Sequence, residues 1–221
     1  MLNIKVRHTL EIQMCDKIDE SWNNKMDVPL VSQLPELNNG CEVTSLTMML
    51  NYKGVDVDKM TLSEEMEKDN TKLIHDEDGD IKVWGNPSEG FVGDVTGKKS
   101  IGYAIDPKPL AKGIDKYYKE GYTDLTGCYI SDLERVLSSD RPIVVWVTSK
   151  FRDDLVWVKW IDSNNKEIRA TFSTHAVTLT GFDDKYIYYN DPLTNEKDNK
   201  VSKEKFIKVW EMMGRKALAL N

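Results

Sequence analysis

The chain has 221 residues, 40% hydrophobic and 30% charged, with a net charge of −7 and a pI near 5.1. That length suits one substantial core or two tightly joined lobes. The acidic balance, with no lysine- or arginine-rich stripe to offset it, excludes the phosphate-backbone footprint of a nucleic-acid binder. Cys15, Cys41 and Cys128 are widely spaced and odd in number, so a disulfide scaffold is not expected. No run approaches the roughly 18 apolar residues of a membrane span. The opening stretch MLNIKVRHTLEIQMCDKIDE also lacks the apolar core of a signal peptide.

Residues 1–25 read as an extension in which IKVRHTLEIQM alternates well enough for one strand, and residues 26–221 read as one domain. VPLVSQLPEL (28–37) is extended, because each proline pushes the preceding residue out of the helical region. In the stretch CEVTSLTMMLNYKG, Val43, Leu46, Met49 and Leu50 recur at helical spacing, and Gly54 stands where a C-terminal cap belongs. Cys41 falls in the first turn of that helix. Thr61 and Glu64 have capping-box spacing ahead of a second helix over LSEEMEKD. Residues 70–108 form a long irregular stretch, more often functional than filler. PLAKGIDKYYKEGY (109–122) is helical despite Gly113, and Ser131 with Glu134 caps a short helix over DLERVLSS. PIVVWVTS, LVWVKWID, THAVTLTGF and KYIYYNDP then read as strands, and Ser202 opens a final helix that Gly214 stops. Helices first and sheet second predict an α+β fold.

A thiolate at a helix start feels the positive end of the macrodipole and unpaired N–H groups, which raise its reactive fraction. Glu42 opposes this, since an adjacent carboxylate disfavours a second anion, so Cys41 needs a histidine partner. His8 lies in the extension and His75 in the acidic run HDEDGD, whereas His175 sits inside a strand of small and apolar residues. HAVTLTGFDDKYIYYNDP reads as a hairpin turning at Gly181–Lys185. With an odd loop centred on Asp183, His175 lies directly opposite Asp191, with Cβ atoms about 4.5–5.5 Å apart. With an even loop the register slips, and Asp191 turns away or the pairing passes to Asn190. Asp191 is the favoured orienter. Cys41, His175 and Asp191 would then form a nucleophile–base–orienter set. The Cys41 N–H and the amide of Gln33, eight residues upstream, are the candidate oxyanion donors.

VPLVSQLPELNNGCEVTSLTMMLNYKG, NPSEGFVGD and HAVTLTGFDDKYIYYNDP together resemble standalone bacterial proteins similar to the bacteriocin-leader (double-glycine) peptidases of the papain clan. The resemblance runs over roughly residues 26–215. It implies a papain-like fold, with Cys41 as nucleophile, His175 as base, Asp191 as orienter and Gln33 in the oxyanion hole. Transporter-linked members carry a different residue where Glu42 stands and continue into membrane and ATPase domains absent from this sequence, so double-glycine cleavage is not inherited. WGNPSEGFVGDVTG looks like a segment of the standalone branch. Trp84, Phe91, Gly90 and Gly93 are therefore expected at the substrate cleft, glycines allowing an extended chain to approach closely. Export in a Gram-positive bacterium fits the resemblance if a leader precedes this sequence, and a cytoplasmic location if none does.

GDVTGKKS fails as a phosphate loop, because Lys99 occupies the Ser/Thr position. DEDGD lacks the spacing of a calcium loop, and no His/Cys cluster has zinc spacing. Both runs read as solvated turns. The expectation is a thiol hydrolase acting on a peptide or protein without metal or organic cofactor. The other readings are a non-catalytic peptide- or envelope-binding module and a thiol acyltransferase or transglutaminase-like enzyme on the same fold.

Overall fold

In the computed structural model, which describes residues 25–221, the first regular element is helix α1 (Cys41–Tyr52). The strand expected near the N-terminus lies outside the described residues. Every residue of α1 from Cys41 to Leu50 is buried, so this is a central helix rather than one with a solvent face. Two of its buried hydroxyls find partners, Thr47 Oγ1 donating to the Val43 carbonyl (2.9 Å) and Ser45 Oγ to the Ala176 carbonyl (3.3 Å), while Thr44 Oγ1 has none among the described residues. Such bonds offset the cost of burying a hydroxyl.

Helix α2 (Lys59–Glu65) follows, then the short strands β1 (Lys68–Asp69), β2 (Ile74–His75), β3 (Ile81–Val83) and β4 (Phe91–Val92). Asp58 caps α2 by accepting from the Met60 and Thr61 N–H groups, one turn earlier than the Thr61 capping box predicts. The stretch expected as one helix over 109–122 is instead α3 (Pro107–Ala111) and α4 (Ile114–Tyr117). They are separated by Gly113, whose φ of 86° is left-handed and ends the first helix. Strand β5 (Tyr122–Asp124), helix α5 (Ile130–Leu137) and strands β6 (Ile143–Thr148), β7 (Val158–Ile161), β8 (Glu167–Ala170), β9 (Thr174–Phe182), β10 (Tyr186–Asp191) and β11 (Glu196–Ser202) precede α6 (Lys203–Met212) and β12 (Ala217–Leu220). Asp132, not Ser131, caps α5, its carboxylate accepting from the Tyr129 N–H at 3.0 Å.

Six strands form an antiparallel sheet in the order β11-β10-β9-β6-β12-β5. β6 is buried on both faces, which explains why IVVWVT is continuously apolar rather than alternating. Val144 and Trp146 face α1 together with Ala176 and Leu218. Ile143, Val145 and Val147 face α5 and α6 together with Val177 and Leu179. A second sheet, β2-β3-β7-β8, carries a smaller core of Trp84, Trp160 and Ile168. Helices packed on a mainly antiparallel sheet make the chain α+β, as expected, and no described helix is long and apolar enough to cross a membrane.

The β9–β10 hairpin departs from both expected registers. Phe182 pairs with Ile187, leaving the even loop 183–186, organised by the Asp183 carboxylate accepting from the Lys185 and Tyr186 N–H groups. Continued without interruption, that register would turn Asp191 away from His175. Between Tyr188↔Gly181 and Tyr189↔Leu179, however, the register shifts by one, and Thr180 is the extra residue of a β-bulge. The bulge restores the face that the even loop would have lost. Asn190 then pairs with Thr178 and points the other way, its Nδ2 donating to the Val28 carbonyl (2.9 Å) and its Oδ1 accepting from the Asp198 N–H (3.0 Å). Asn190→Ala removes both partners and is expected to cost about 2 kcal/mol of stability in urea unfolding. A variant unchanged within a few tenths of a kcal/mol would contradict this account of Asn190.

Candidate active site

Cys41 is the first residue of α1, preceded by Gly40, which supplies no capping side chain. Ser45, one turn on, bonds to Ala176, and Thr178 Oγ1 donates back to the Ser45 carbonyl at 3.1 Å. This pair of contacts seats α1 on β9 and lays the Cys41 sulfur against the Ala176 N–H, the residue after His175. The thiol itself donates to Glu42 Oε2 at 3.2 Å and makes no hydrogen bond to the imidazole.

His175 and Asp191 are joined by a 2.8 Å contact between Nε2 and Oδ1. They are not directly opposed, since the register beyond the bulge sets Asp191 beside Val177, but a diagonal neighbour on the same face is still within reach. The expected pairing of these side chains therefore holds, and the direct opposition expected of them does not. Asp191 Oδ1 also accepts from the Leu193 and Thr194 N–H groups, at 2.9 and 3.4 Å. Burial works to raise the Asp191 pKa, yet the His175 contact and these N–H groups together hold it below the ordinary carboxylate value. With Nε2 engaged, Nδ1 is the ring nitrogen left for proton exchange.

Glu42 is buried to 1% exposure. Its Oε1 faces the Ile105 N–H at 3.4 Å, and that segment is anchored where the Trp146 indole donates to the Ile105 carbonyl (2.9 Å). Burial pushes the Glu42 carboxyl up to about 7, against its own N–H, the Cys41 thiol, the Ile105 N–H and the charge of His175. Burial likewise lifts the Cys41 thiol well above the ordinary value, reinforced by the Glu42 carboxylate, while the Ala176 and Glu42 N–H groups pull it down. The sequence flagged Glu42 as unfavourable to a thiolate, and the structure adds that its Oε2 is the hydrogen-bond partner of the thiol.

Gln33 is buried, its backbone N–H donating to the Pro192 carbonyl at 2.8 Å, so it lies beside the loop that follows Asp191. Its Nε2 donates to the carbonyls of Leu37 (3.1 Å) and Asn38 (2.9 Å), in the turn leading to Cys41. Its Oε1 is buried with no partner among the described residues.

An open groove of about 790 Å³ runs beside this turn. Asn38 and Asn39, ahead of the cysteine, form one part of its lining, and Phe172, ahead of the histidine, another. Lys98, Lys99 and Ile101 also line it. Phe172 and Ile101 are half exposed, unusual for large apolar side chains. Trp84, Phe91, Gly90 and Gly93 do not line this groove. Trp84 is 2% exposed and stacks behind Phe172 at 6.3 Å, and Phe91 is 1% exposed in the core under α1. A Cβ on Gly90 would meet the Lys68 and Asp69 backbone at 2.7 Å, and one on Gly93 the Ile101 carbonyl at 2.4 Å. The close approach those glycines permit is made by the protein's own chain. The groove residues escaped the sequence reading, although GKKS and the loop-borne Phe172 were visible in it.

The raised Glu42 carboxyl carries a stability consequence. Between its ordinary value of 4.5 and about 7 the folded protein keeps a proton that the unfolded chain releases, so this group makes stability fall as pH rises through that window. Glu42→Gln removes the dependence. The stability gap between the variant and the unaltered protein should therefore widen by up to about 3 kcal/mol from pH 4.5 to 7 and then level off. Urea unfolding at several pH values measures this, and a gap independent of pH would show that Glu42 is ionised throughout.

Comparison with known proteins agrees with this architecture. Residues 25–218 match the model of the Peptidase_C39 like family. YvpB of Bacillus subtilis (strain 168), an uncharacterized protein, is 36% identical over 198 residues, covering 89% of this chain and 75% of YvpB. The crystal structure of a C39-like protein of Bacillus anthracis superposes with a TM-score of 0.77 at 37% identity, over 88% of this chain and 94% of that one. Matched from the first described residue almost to the last, the chain belongs to the Peptidase_C39 like family.

Proposed function

We propose that the protein is a cysteine peptidase that hydrolyses a peptide bond through Cys41, His175 and Asp191. The observation that carries this reading is the buried His175–Asp191 pair on the strand whose next N–H, that of Ala176, touches the Cys41 sulfur. A carboxylate bonded to Nε2 fixes the tautomer and favours the charged imidazole. Nδ1 takes the thiol proton, and the thiolate attacks the substrate carbonyl carbon. As the tetrahedral adduct collapses, the C–N bond breaks, the imidazolium proton passes to the departing amine, and a thioester remains. Water, deprotonated by the imidazole, then attacks the thioester, releasing the acid and restoring the thiol.

The oxyanion that forms twice in this cycle needs two donors, the Cys41 N–H and one N–H of Gln33. The amide of Gln33 serves by turning one hydrogen from the Leu37 and Asn38 carbonyls toward the adduct. Its unpartnered Oε1 leaves the side chain without a bond on its other side that would resist such a turn.

The groove supports an extended peptide as substrate, with Phe172 and Ile101 contacting a bulky apolar side chain and Lys98 and Lys99 an acidic one. On a chain of net charge −7, these two lysines make no salt bridge among the described residues, which leaves their charge for a ligand.

Two measurements check the reading. Profiling cleavage over a diverse peptide library, with Cys41→Ala as control, should give products from the unaltered protein alone. Asp191→Asn should lower kcat/KM by about a hundredfold or more at nearly unchanged KM. Cleavage that persists in Cys41→Ala would remove the nucleophile from the mechanism. Separately, Lys98→Glu combined with Lys99→Glu should raise KM for acidic peptides about tenfold relative to basic ones. An unchanged preference would move substrate recognition elsewhere.

A further inference from the structure

Glu42 is not needed by the mechanism just described, and as a carboxylate it works against it. It stands 3.2 Å from the nucleophilic sulfur, is buried, and makes no salt bridge among the described residues. An uncompensated anion beside a sulfur that must itself become an anion is electrostatically contradictory, unless the carboxyl is neutral when the sulfur is charged. We propose that Glu42 is a further catalytic residue that acts as a neutral acid, donating its carboxyl hydrogen to the Cys41 thiolate, and that its ionisation turns the nucleophile off.

The 3.2 Å contact between Cys41 and Glu42 accommodates both states. With Glu42 ionised, the thiol donates to Oε2, as the structure shows, and the sulfur keeps its proton. With Glu42 protonated, the same pair of atoms hydrogen-bonds in the opposite sense, carboxyl O–H to sulfur, and the thiol proton resides on Nδ1 of His175. Going from the active form (thiolate, imidazolium, carboxyl) to the resting form (thiol, imidazole, carboxylate) releases one proton in total. Glu42 keeps its own proton throughout turnover, assisting attack and then assisting departure of the thiolate when the thioester is hydrolysed.

The surroundings favour a neutral carboxyl near neutral pH. The titratable groups facing Glu42 are Cys41 on its own helix, His175 on β9 and Tyr103 in the segment after β4. Ile105 supplies an N–H from that same segment, and no lysine or arginine among the described residues bonds to Glu42. Burial raises the carboxyl to about 7, which puts the switch where a small change in pH moves it.

This inference rests on Cys41 being the nucleophile, and one experiment separates the two ideas. The rate of iodoacetamide labelling of Cys41, read by peptide mass spectrometry from pH 6 to 8, is compared between the unaltered protein and Glu42→Gln, with Cys128 as internal reference. A thiol–imidazole pair alone gives a rate that only rises with pH, because deprotonation only adds thiolate. With Glu42 in control, the rate in the unaltered protein should fall about tenfold across those two pH units. Glu42→Gln, a permanent neutral donor, should stay flat or rise. A rate in the unaltered protein that rises throughout overturns the role of Glu42 without need of any variant. A profile shared by the two proteins also overturns it, since the titrating group would lie elsewhere. A Cys41 that labels no faster than Cys128 in both proteins overturns the peptidase reading itself.

Discussion

Whether the imidazole of His175 meets a carboxylate depends on which face of the sheet each side chain leaves, and a strand changes that face at every residue. An even hairpin loop between β9 and β10 alone would send Asp191 to the wrong side. The extra residue at Thr180 reverses the parity and leaves Asp191 one diagonal step from His175, with Asn190 facing the opposite layer. Bulges re-aim side chains at the cost of ladder bonds, and here a single one separates a structural amide from the carboxylate bonded to the histidine. The two adjacent residues of NDP thus act on different layers: Asn190 ties β10 to the segment at Val28 and to β11, while Asp191 holds the ring.

Around the sulfur the governing quantity is burial. Helix α1 is enclosed on all sides over its first ten residues, so Cys41 and Glu42 enter the protein together at its N-terminal end. Low polarity there disfavours both charges and raises both groups. The Ala176 N–H and the start of the helix act in the other direction. The ionisation of the Cys41 thiol is set by the balance of these opposed influences, whereas at Cys128 burial and Asp132 push the thiol up to about 11.

The second sheet serves the groove. Trp84 and Trp160 fill its core, Tyr103 packs edge-on against Trp160, and Phe172 lies on this aromatic layer with one face free. Asp94 organises the neighbouring loop, its carboxylate accepting from the Thr96 and Lys99 N–H groups at 2.9 and 2.8 Å. GKKS is therefore a carboxylate-pinned turn that holds Lys98 and Lys99 at the rim, in keeping with its reading as a turn rather than a phosphate loop.

Much was legible in the amino-acid order because it is local. Helical spacing after Gly40, the β-branched runs of the central strands, and a cysteine, a histidine and an aspartate in strongly patterned segments lead to the fold class and to the three side chains. Among the strands the sequence did not reveal, the short ones β2 to β5 and β8 and the four-residue β12 carry too little pattern, and β11 is polar and exposed along an edge. What tertiary structure alone decided is everything that depends on distant chain meeting: the bulge at Thr180, which leaves no signature in composition, and the enclosure of Glu42 by the Ile105 segment. The same holds for the glycines at 90 and 93, which lie against the protein's own backbone. Periodicity is written by nearest neighbours, whereas parity across a hairpin and the polarity around a carboxyl are set by residues far away in the chain.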